Sequence, residues 1–216
     1  MQPTLKQPGL LFMDMDSTLI QCECIDEIAS FLGIKGRIAA ITRRAMEGEI
    51  DFSTSLVERV ALLKGLDASV LQQVYSERIT ITDGARHLIS TLHDHSWRVG
   101  LVSGGFTYFT DRLQQELALD FSAANLLEIV DGKLTGSILG AIVDGAAKRE
   151  LLLRQAALWN IPRNQTVAIG DGANDLPMLS AAAVGIAFHA KDAVRQRADA
   201  TIDSGGLDQA LKLLAS

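Results

Sequence analysis

Cysteine is almost absent from this 216-residue chain, which has only Cys22 and Cys24, one residue apart. Two thiols are too few for a structural zinc site, which takes about four ligands, and a disulfide across a single intervening residue is strained in most backbones. Both are expected to be reduced thiols in a reducing compartment. Basic runs are lacking too. None is longer than Arg43-Arg44 or Lys148-Arg149, and 20 Lys and Arg stand against 26 Asp and Glu, a formal charge of −6. A phosphate-backbone binder carries a basic stripe, so no nucleic-acid partner is expected. Long apolar runs are missing as well: Gly9 to Met13 is interrupted at once by Asp14, leaving neither a signal-peptide core nor a membrane span. The expectation is a soluble cytoplasmic protein with no membrane partner. The chain contains no P-loop, no G-x-G-x-x-G and no H-E-x-x-H, and Gly100-Leu101-Val102-Ser103-Gly104 misses the nucleophile-elbow spacing by one position. Internal repeats and low-complexity tracts are likewise absent, and nothing in the sequence signals an oligomeric state.

What is present is a balanced globular composition, 48% hydrophobic and 21% charged, enough to bury a real core. Several short apolar runs end in polar or glycine-rich residues. Leu10 to Met13 leads into Asp14-Met15-Asp16-Ser17-Thr18, Val99 to Val102 into Ser103-Gly104-Gly105, and Thr166 to Ile169 into Gly170-Asp171-Gly172-Ala173-Asn174-Asp175. Val184 to Phe188 and Ala200 to Ile202 are weaker examples. Near-continuous apolar runs of this length suit strands buried on both faces of a parallel sheet. Helical periodicity over Ala85 to His93, Phe106 to Leu117, Lys148 to Leu158 and Leu207 to Leu214 alternates with them, which predicts a doubly wound α/β domain. Ligands of such sheets bind beyond the carboxyl ends of the strands, so the three polar clusters should converge.

Two segments break the alternation. Cys24 to Ile79 holds no convincing strand but three or four short helices, with Gly33, Gly48 and Gly65 placed as left-handed C-caps and Phe52, Leu56, Val60 and Leu63 forming one stripe. The predicted organisation is a core of residues 1–21 and 83–216, with a small helical cap, 22–82, inserted after the first strand. Near 126–140 a hairpin is expected, turning at Asp131-Gly132.

At the strand ends, Asp14 and Asp16 are two residues apart and would leave the same face of an extended chain. Close carboxylates either hold a cation or split their pKa values, and Asp171 and Asp175 bring two more to the same edge. Oxygen ligands without His or Cys point to Mg²⁺. A lone aspartate here would read as a cap or turn residue; four on two strand ends read as a site. Ser103, expected at a helix start, offers a hydroxyl beside backbone N–H groups as an anion cradle, and Lys148, expected to open a helix, offers a positive charge. Taken singly, these would be an N-cap serine and a solvated lysine.

In this order, Asp14-Met15-Asp16-Ser17-Thr18, Ser103, Lys148 and Gly170 to Asp175 resemble the motifs of the haloacid-dehalogenase-like (HAD) phosphatases, whose core is Rossmann-like. Within the insertion, Glu23, Ile25-Asp26-Glu27-Ile28-Ala29, Ala45-Met46-Glu47-Gly48, Asp51-Phe52 and Arg59 to Lys64 are similar to the phosphoserine phosphatase branch of that superfamily, as are Ser103-Gly104-Gly105-Phe106 and Asp131 to Gly136. The resemblance implies Mg²⁺-dependent hydrolysis of a small phosphomonoester, O-phospho-L-serine, through a phosphoaspartate at Asp14. It implies Asp16 as general acid and base, and Mg²⁺ held by Asp14, the Asp16 carbonyl and Asp171, with Asp175 orienting this shell. Ser103, Gly104, Lys148 and Asn174 would hold the phosphate. Glu23 and Arg59 would pair with the amino and carboxylate groups of serine, and Met46 and Phe52 would line the pocket, although core packing explains those two equally well. The place of serine biosynthesis follows from the same resemblance. Many bacterial members carry a regulatory domain before the catalytic part, where this chain has about nine residues before its first strand, which leaves feedback control through such a domain in doubt.

Two other readings use the same residues. One is a phosphatase of this class acting on another small phosphomonoester. The other is a receiver-like module, in which an aspartate is phosphorylated and stays so; receivers also use strand-end acids, a hydroxyl residue and a lysine, but they are shorter and need no insertion over the site.

Overall fold

Leu10–Met13 is buried along its whole length, because each face of this strand, β1, meets a different layer. Leu11 and Met13 join one apolar cluster, Leu10 and Phe12 the other. This explains why the run shows no polar alternation. The computed structural model describes residues 2–215. Among them, β1 is the middle strand of a seven-stranded sheet in the order β4-β3-β2-β1-β5-β6-β7. The other strands are β2 (Arg98–Phe106), β3 (Phe121–Val130), β4 (Lys133–Leu139), β5 (Thr166–Gly170), β6 (Val184–Phe188) and β7 (Ala200–Ile202). All neighbours run parallel except β3 and β4. The structure thus has the mostly parallel α/β sheet that the alternating pattern predicts.

The first four helices, α1 (Cys24–Phe31), α2 (Lys35–Met46), α3 (Phe52–Ala61) and α4 (Ser69–Arg78), fill the interval between β1 and β2. Gly33 and Gly48 take positive φ directly after the C-caps of α1 and α2, as expected; Gly65 also has positive φ but lies four residues past the end of α3, so it turns the loop and does not cap that helix. The Asp51 carboxylate accepts from the Thr54 N–H at 2.7 Å and starts α3. Leu56, Val60 and Leu63 of the predicted stripe are buried, and Phe52 packs against them. The chain enters and leaves this insertion side by side: Ile20 pairs with Ile81, and Thr82 N–H donates to the Leu19 carbonyl at 2.9 Å.

The insertion is fastened to the core at a second place. Gly65 N–H donates to the Leu134 carbonyl, Leu134 N–H to that of Leu66, and Ala68 N–H to that of Gly132, at 2.8, 2.9 and 2.8 Å. Tyr75 of α4 donates its hydroxyl to Glu116, on α6 (Thr107–Leu117), at 2.6 Å. In contrast, α2 buries a single residue, Ile38.

Helices α5 (Ala85–Asp94) and α6 cover one face of the sheet; α7 (Gly145–Leu158) and α8 (Leu176–Ala181) cover the other. The β3–β4 hairpin turns at Asp131 and Gly132, both with positive φ (50° and 75°), the two-residue geometry that matches strand twist. Two local expectations change. Ser103 does not sit at a helix start: β2 continues through Gly104 and Gly105 to Phe106, and α6 begins only at Thr107. Lys148 does not open α7 either. Asp144 caps that helix by accepting from Ala147 N–H at 2.9 Å, and Lys148 lies at the end of its first turn. The C-terminal segment Leu207–Leu213 winds as a 3₁₀ helix.

Candidate active site

β1 lies between β2 and β5, so the carboxyl ends of these three strands meet at the sheet's topological switch point. Asp14 N–H donates to the Ile169 carbonyl at 3.0 Å, which fastens the end of β1 to the end of β5. Beyond Asp14 the chain turns sharply through Met15–Leu19, and Ser17 takes a left-handed conformation (φ 57°). The turn separates the two motif carboxylates. Asp14 faces Lys148, while Asp16 accepts from the Cys24 N–H at 2.9 Å, at the start of α1. Ser17 donates its hydroxyl to Glu23 at 2.6 Å, holding that exposed carboxylate at the entrance to the insertion.

Lys148 has no exposed surface and is charged between two carboxylates, with Nζ 2.6 Å from Asp14 Oδ1 and 2.6 Å from Asp175 Oδ1. The other Asp175 oxygen accepts from Gly172 N–H at 3.0 Å. Asp175 lies against Gly170, where a Cβ would stand 2.5 Å from its Oδ2, so only glycine lets this carboxylate reach the lysine. Asp171 accepts from the Thr18 hydroxyl at 3.3 Å. Thus Thr18, fully buried and assigned no role from the sequence, links the first strand end to the third.

Asp14, Asp171 and Asp175 each offer an oxygen within 4.8 Å of the others. One ammonium cannot neutralise three carboxylates. Burial and the charges of Asp175, Asp171 and Asp16 push Asp14 well above the usual carboxylate range, despite Lys148. Asp171 is pushed up to about 7, chiefly by burial and then by Asp175 and Glu23. The residual negative charge and the all-oxygen donor set fit a divalent cation, which would reverse these shifts. Lys148 itself is held above its ordinary value: burial disfavours its charge, but Asp14 and Asp175 outweigh burial.

Asp16 is pushed up to about 7 by burial and by the Glu23 charge, against the stabilising Cys24 N–H. A carboxyl near neutrality is suited to both giving and taking a proton. Ser103 is buried beside it, with its oxygen accepting from Gly105 N–H at 2.8 Å. Asn174 lies on the short 3₁₀ turn Ala173–Asp175, partly exposed at the same edge.

From the insertion, the Phe52 ring lies against Gly104, where a Cβ would come 2.5 Å from the ring. Arg59, in the last turn of α3, shares the field of Glu23, Asp26 and Asp16; burial nevertheless pulls its pKa below the ordinary value. Met46 is 64% exposed and its sulfur lies 3.9 Å from Lys191 Nζ. The thiols of Cys22 and Cys24 are free, the second buried. Among the described residues, no helix is long and apolar enough to cross a membrane.

The haloacid dehalogenase-like hydrolase family matches residues 11–180. The chain is 47% identical, over 99% of its own length and 99% of the other, to a phosphoserine phosphatase of Albidiferax ferrireducens. It is 55% identical to one of Streptomyces coelicolor over 95% of its length, but spans only half of that protein. A solved structure described as a substrate-bound phosphoserine phosphatase complex superimposes with a TM-score of 0.91 at 40% identity, covering 97% of this chain and 99% of that one. With the family's match running from β1 through α8, this chain belongs to the haloacid dehalogenase-like hydrolases.

Proposed function

We propose that the chain is a phosphoserine phosphatase, hydrolysing O-phospho-L-serine to L-serine and inorganic phosphate at Asp14. The observation that carries the reading is the buried Asp14–Lys148–Asp175 triad, with a near-neutral Asp16 beside it and Arg59 of the insertion in the field of Glu23 and Asp16. The names of the relatives, and a solved neighbour described as a phospho-aspartyl intermediate analogue of phosphoserine phosphatase, support it.

The substrate phosphate lies against Ser103, the Gly104 backbone, Asn174 and Lys148. Asp14 attacks phosphorus, so that a carboxylate O–P bond forms as the P–O bond to serine breaks, and Asp16 gives its proton to the departing serine oxygen. Asp16, now ionised, takes a proton from water. The water oxygen bonds to phosphorus, the Asp14–phosphorus bond breaks, and phosphate leaves. Mg²⁺ is the cation proposed, held by Asp14, Asp171 and the Asp16 carbonyl; when bound it neutralises charge on the phosphoryl oxygens and on the attacking carboxylate. Both Asp175 oxygens are already taken, by Lys148 and Gly172, which suits an orienting role.

Serine is a zwitterion. Glu23 pairs with its ammonium, and Arg59 with its carboxylate through a two-pronged contact. Phe52, whose ring rests on Gly104, keeps water from the bond being broken; Met46, 64% exposed, lines the outer edge of the same insertion. In this reading residues 22–82 act as a cap over a core made of 1–21 and 83–216.

Phosphate release from phosphoserine, phosphothreonine, phosphoethanolamine and an aryl phosphate, with Mg²⁺ present, tests the proposal. Phosphoserine should give the highest kcat/KM. Preference for another ester overturns the substrate and keeps the chemistry; a long-lived phosphoprotein without turnover overturns both and favours a phospho-acceptor module.

A further inference from the structure

The phosphate-binding residues proposed above come from chain segments that touch no common backbone ladder, and a single buried side chain joins two of them. β2 and β3 pair at Val102↔Ala123 and again at Phe106↔Asn125, so Ser103, Gly104 and Gly105 stand opposite Ala124 alone. The register shifts at this bulge, and Ser103, Gly104 and Gly105 take no partner in the register of the two strands. Asn125, 1% exposed, supplies one: its Nδ2 donates to the Gly104 oxygen at 2.9 Å. Its Oδ1 accepts from Val143 N–H at 2.8 Å. Val143 directly precedes Asp144, the cap of α7, whose first turn ends at Lys148.

We propose that Asn125 is a positioning residue for phosphate binding, setting the Ser103–Gly104 bulge against the α7 terminus that carries Lys148. Only a primary amide can both donate to a carbonyl and accept from an N–H at these two places, and only one orientation of the group does so. Without it, two half-buried backbone groups lose their partners, and the two halves of the phosphate site are free to shift. Displacements of about 1 Å are enough to cost about 100-fold in a reaction that depends on placement. The inference rests on reading Ser103, Gly104 and Lys148 as phosphate-binding groups.

The test compares Asn125→Ala and Asn125→Asp with the parent chain, all loaded with Mg²⁺. Asn125→Asp keeps the shape and the acceptor for Val143 but, when ionised, cannot donate to Gly104. Three quantities are read: KM and kcat for phosphoserine, the inhibition or binding constant of inorganic phosphate, and the thermal midpoint. The expected result is a cooperative melt in at least one variant, with KM and the phosphate constant both raised about tenfold or more. A residue that served the fold alone would lower the amount of active protein, and so kcat, leaving KM and the phosphate constant at parental values. That outcome overturns the proposal, as does failure of both variants to melt cooperatively. If the parent itself does not turn over phosphoserine, the function proposed above fails. The binding constant of inorganic phosphate, measured by titration without turnover, then still decides the role of Asn125: parental values in a folded variant overturn it.

Discussion

Lys148 and Asp14 form an ion pair with 2.6 Å between nitrogen and oxygen, in a place where the lysine has no contact with solvent. Removing one partner of a buried pair leaves the other charge uncompensated, which costs about 3–5 kcal/mol in stability. Here the lysine also restrains Asp175, so Lys148→Met releases two buried carboxylates at once. The variant should melt well below the parent when metal-free, and Mg²⁺ should recover part of the loss by neutralising the same carboxylates. Its kcat should fall about 100- to 1,000-fold, the usual loss for one aimed charge or donor. Paired thermal scans with and without Mg²⁺ check this; an equal deficit in both would show that the cation does not share the lysine's field.

Asp14 and Asp16 face different partners, and their substitutions should separate accordingly. Asp14→Asn can still accept from Lys148, so it should fold and yet form no acid-stable or hydroxylamine-sensitive phosphoprotein from any ester. Asp16→Asn loses a proton donor, a change worth about 100- to 10,000-fold. That loss should be largest for phosphoserine, whose alkoxide leaves poorly, and smallest for an aryl phosphate, whose phenolate leaves without a proton. Steady-state rates on the two esters measure the difference; equal losses would remove Asp16 from leaving-group protonation.

Much of this arrangement is legible in the sequence where the cause is local or periodic. Leu10 to Met13 and Thr166 to Ile169 read as strands because both their faces are buried. Asp131-Gly132 reads as a turn because few pairs other than such residues adopt two successive positive φ values. Ser103-Gly104-Gly105 reads as a helix start, and this misleads. The segment stays in β2 through Phe106, and the side chain that meets its Gly104 carbonyl, Asn125, lies twenty-one residues away, out of reach of any local pattern. Likewise Asp16 and Glu23 find their partners, the Cys24 amide and the Ser17 hydroxyl, through the left-handed turn at Ser17, a conformation that serine seldom signals. Thr18 stands in the motif, but its bond to Asp171 spans 153 positions and has no local signature.

The raised carboxylates predict how pH acts on the metal-free protein. Asp171, up to about 7 in the folded state against an ordinary 3.8, is favoured when protonated. Its contribution to stability is therefore fully present below about pH 4 and lost as pH rises through 7. The bound cation needs the ionised form, so its affinity rises over the same window. The shift in thermal midpoint on adding saturating Mg²⁺ should be small at pH 5 and large at pH 8, while Asp171→Asn should show little shift at either. A Mg²⁺-induced shift independent of pH would place the cation elsewhere.

Arg59 lies in the field of Glu23, Asp26 and Asp16, and burial draws its pKa below the ordinary value. An aryl phosphate offers no carboxylate for Arg59. Arg59→Ala should raise KM for phosphoserine by about 10- to 100-fold, as expected for losing a hydrogen bond to a charged group worth about 1.5–3 kcal/mol, and leave KM for the aryl ester within about twofold. Arg59→Lys should recover only part of the phosphoserine KM, because an ammonium cannot meet both oxygens of a carboxylate. Equal effects on the two esters would take Arg59 out of the substrate pocket.

The insertion is held unevenly, and its motions should be uneven in the same way. Backbone bonds from Gly65, Leu66 and Ala68 to the hairpin, with the Tyr75–Glu116 contact, fix α4 to the core, whereas α2 buries only Ile38. Opening free energy follows buried apolar contact, so amides of α2 should exchange first and those of α4 much later. Binding inorganic phosphate or phosphoserine should slow exchange in α2 and at Phe52, whose ring rests on Gly104, with little change in α4. Amide exchange followed by mass spectrometry reads each helix separately. Simultaneous exchange of α2 and α4 would mean that the whole insertion swings as one body and that the bonds to the hairpin break when it does.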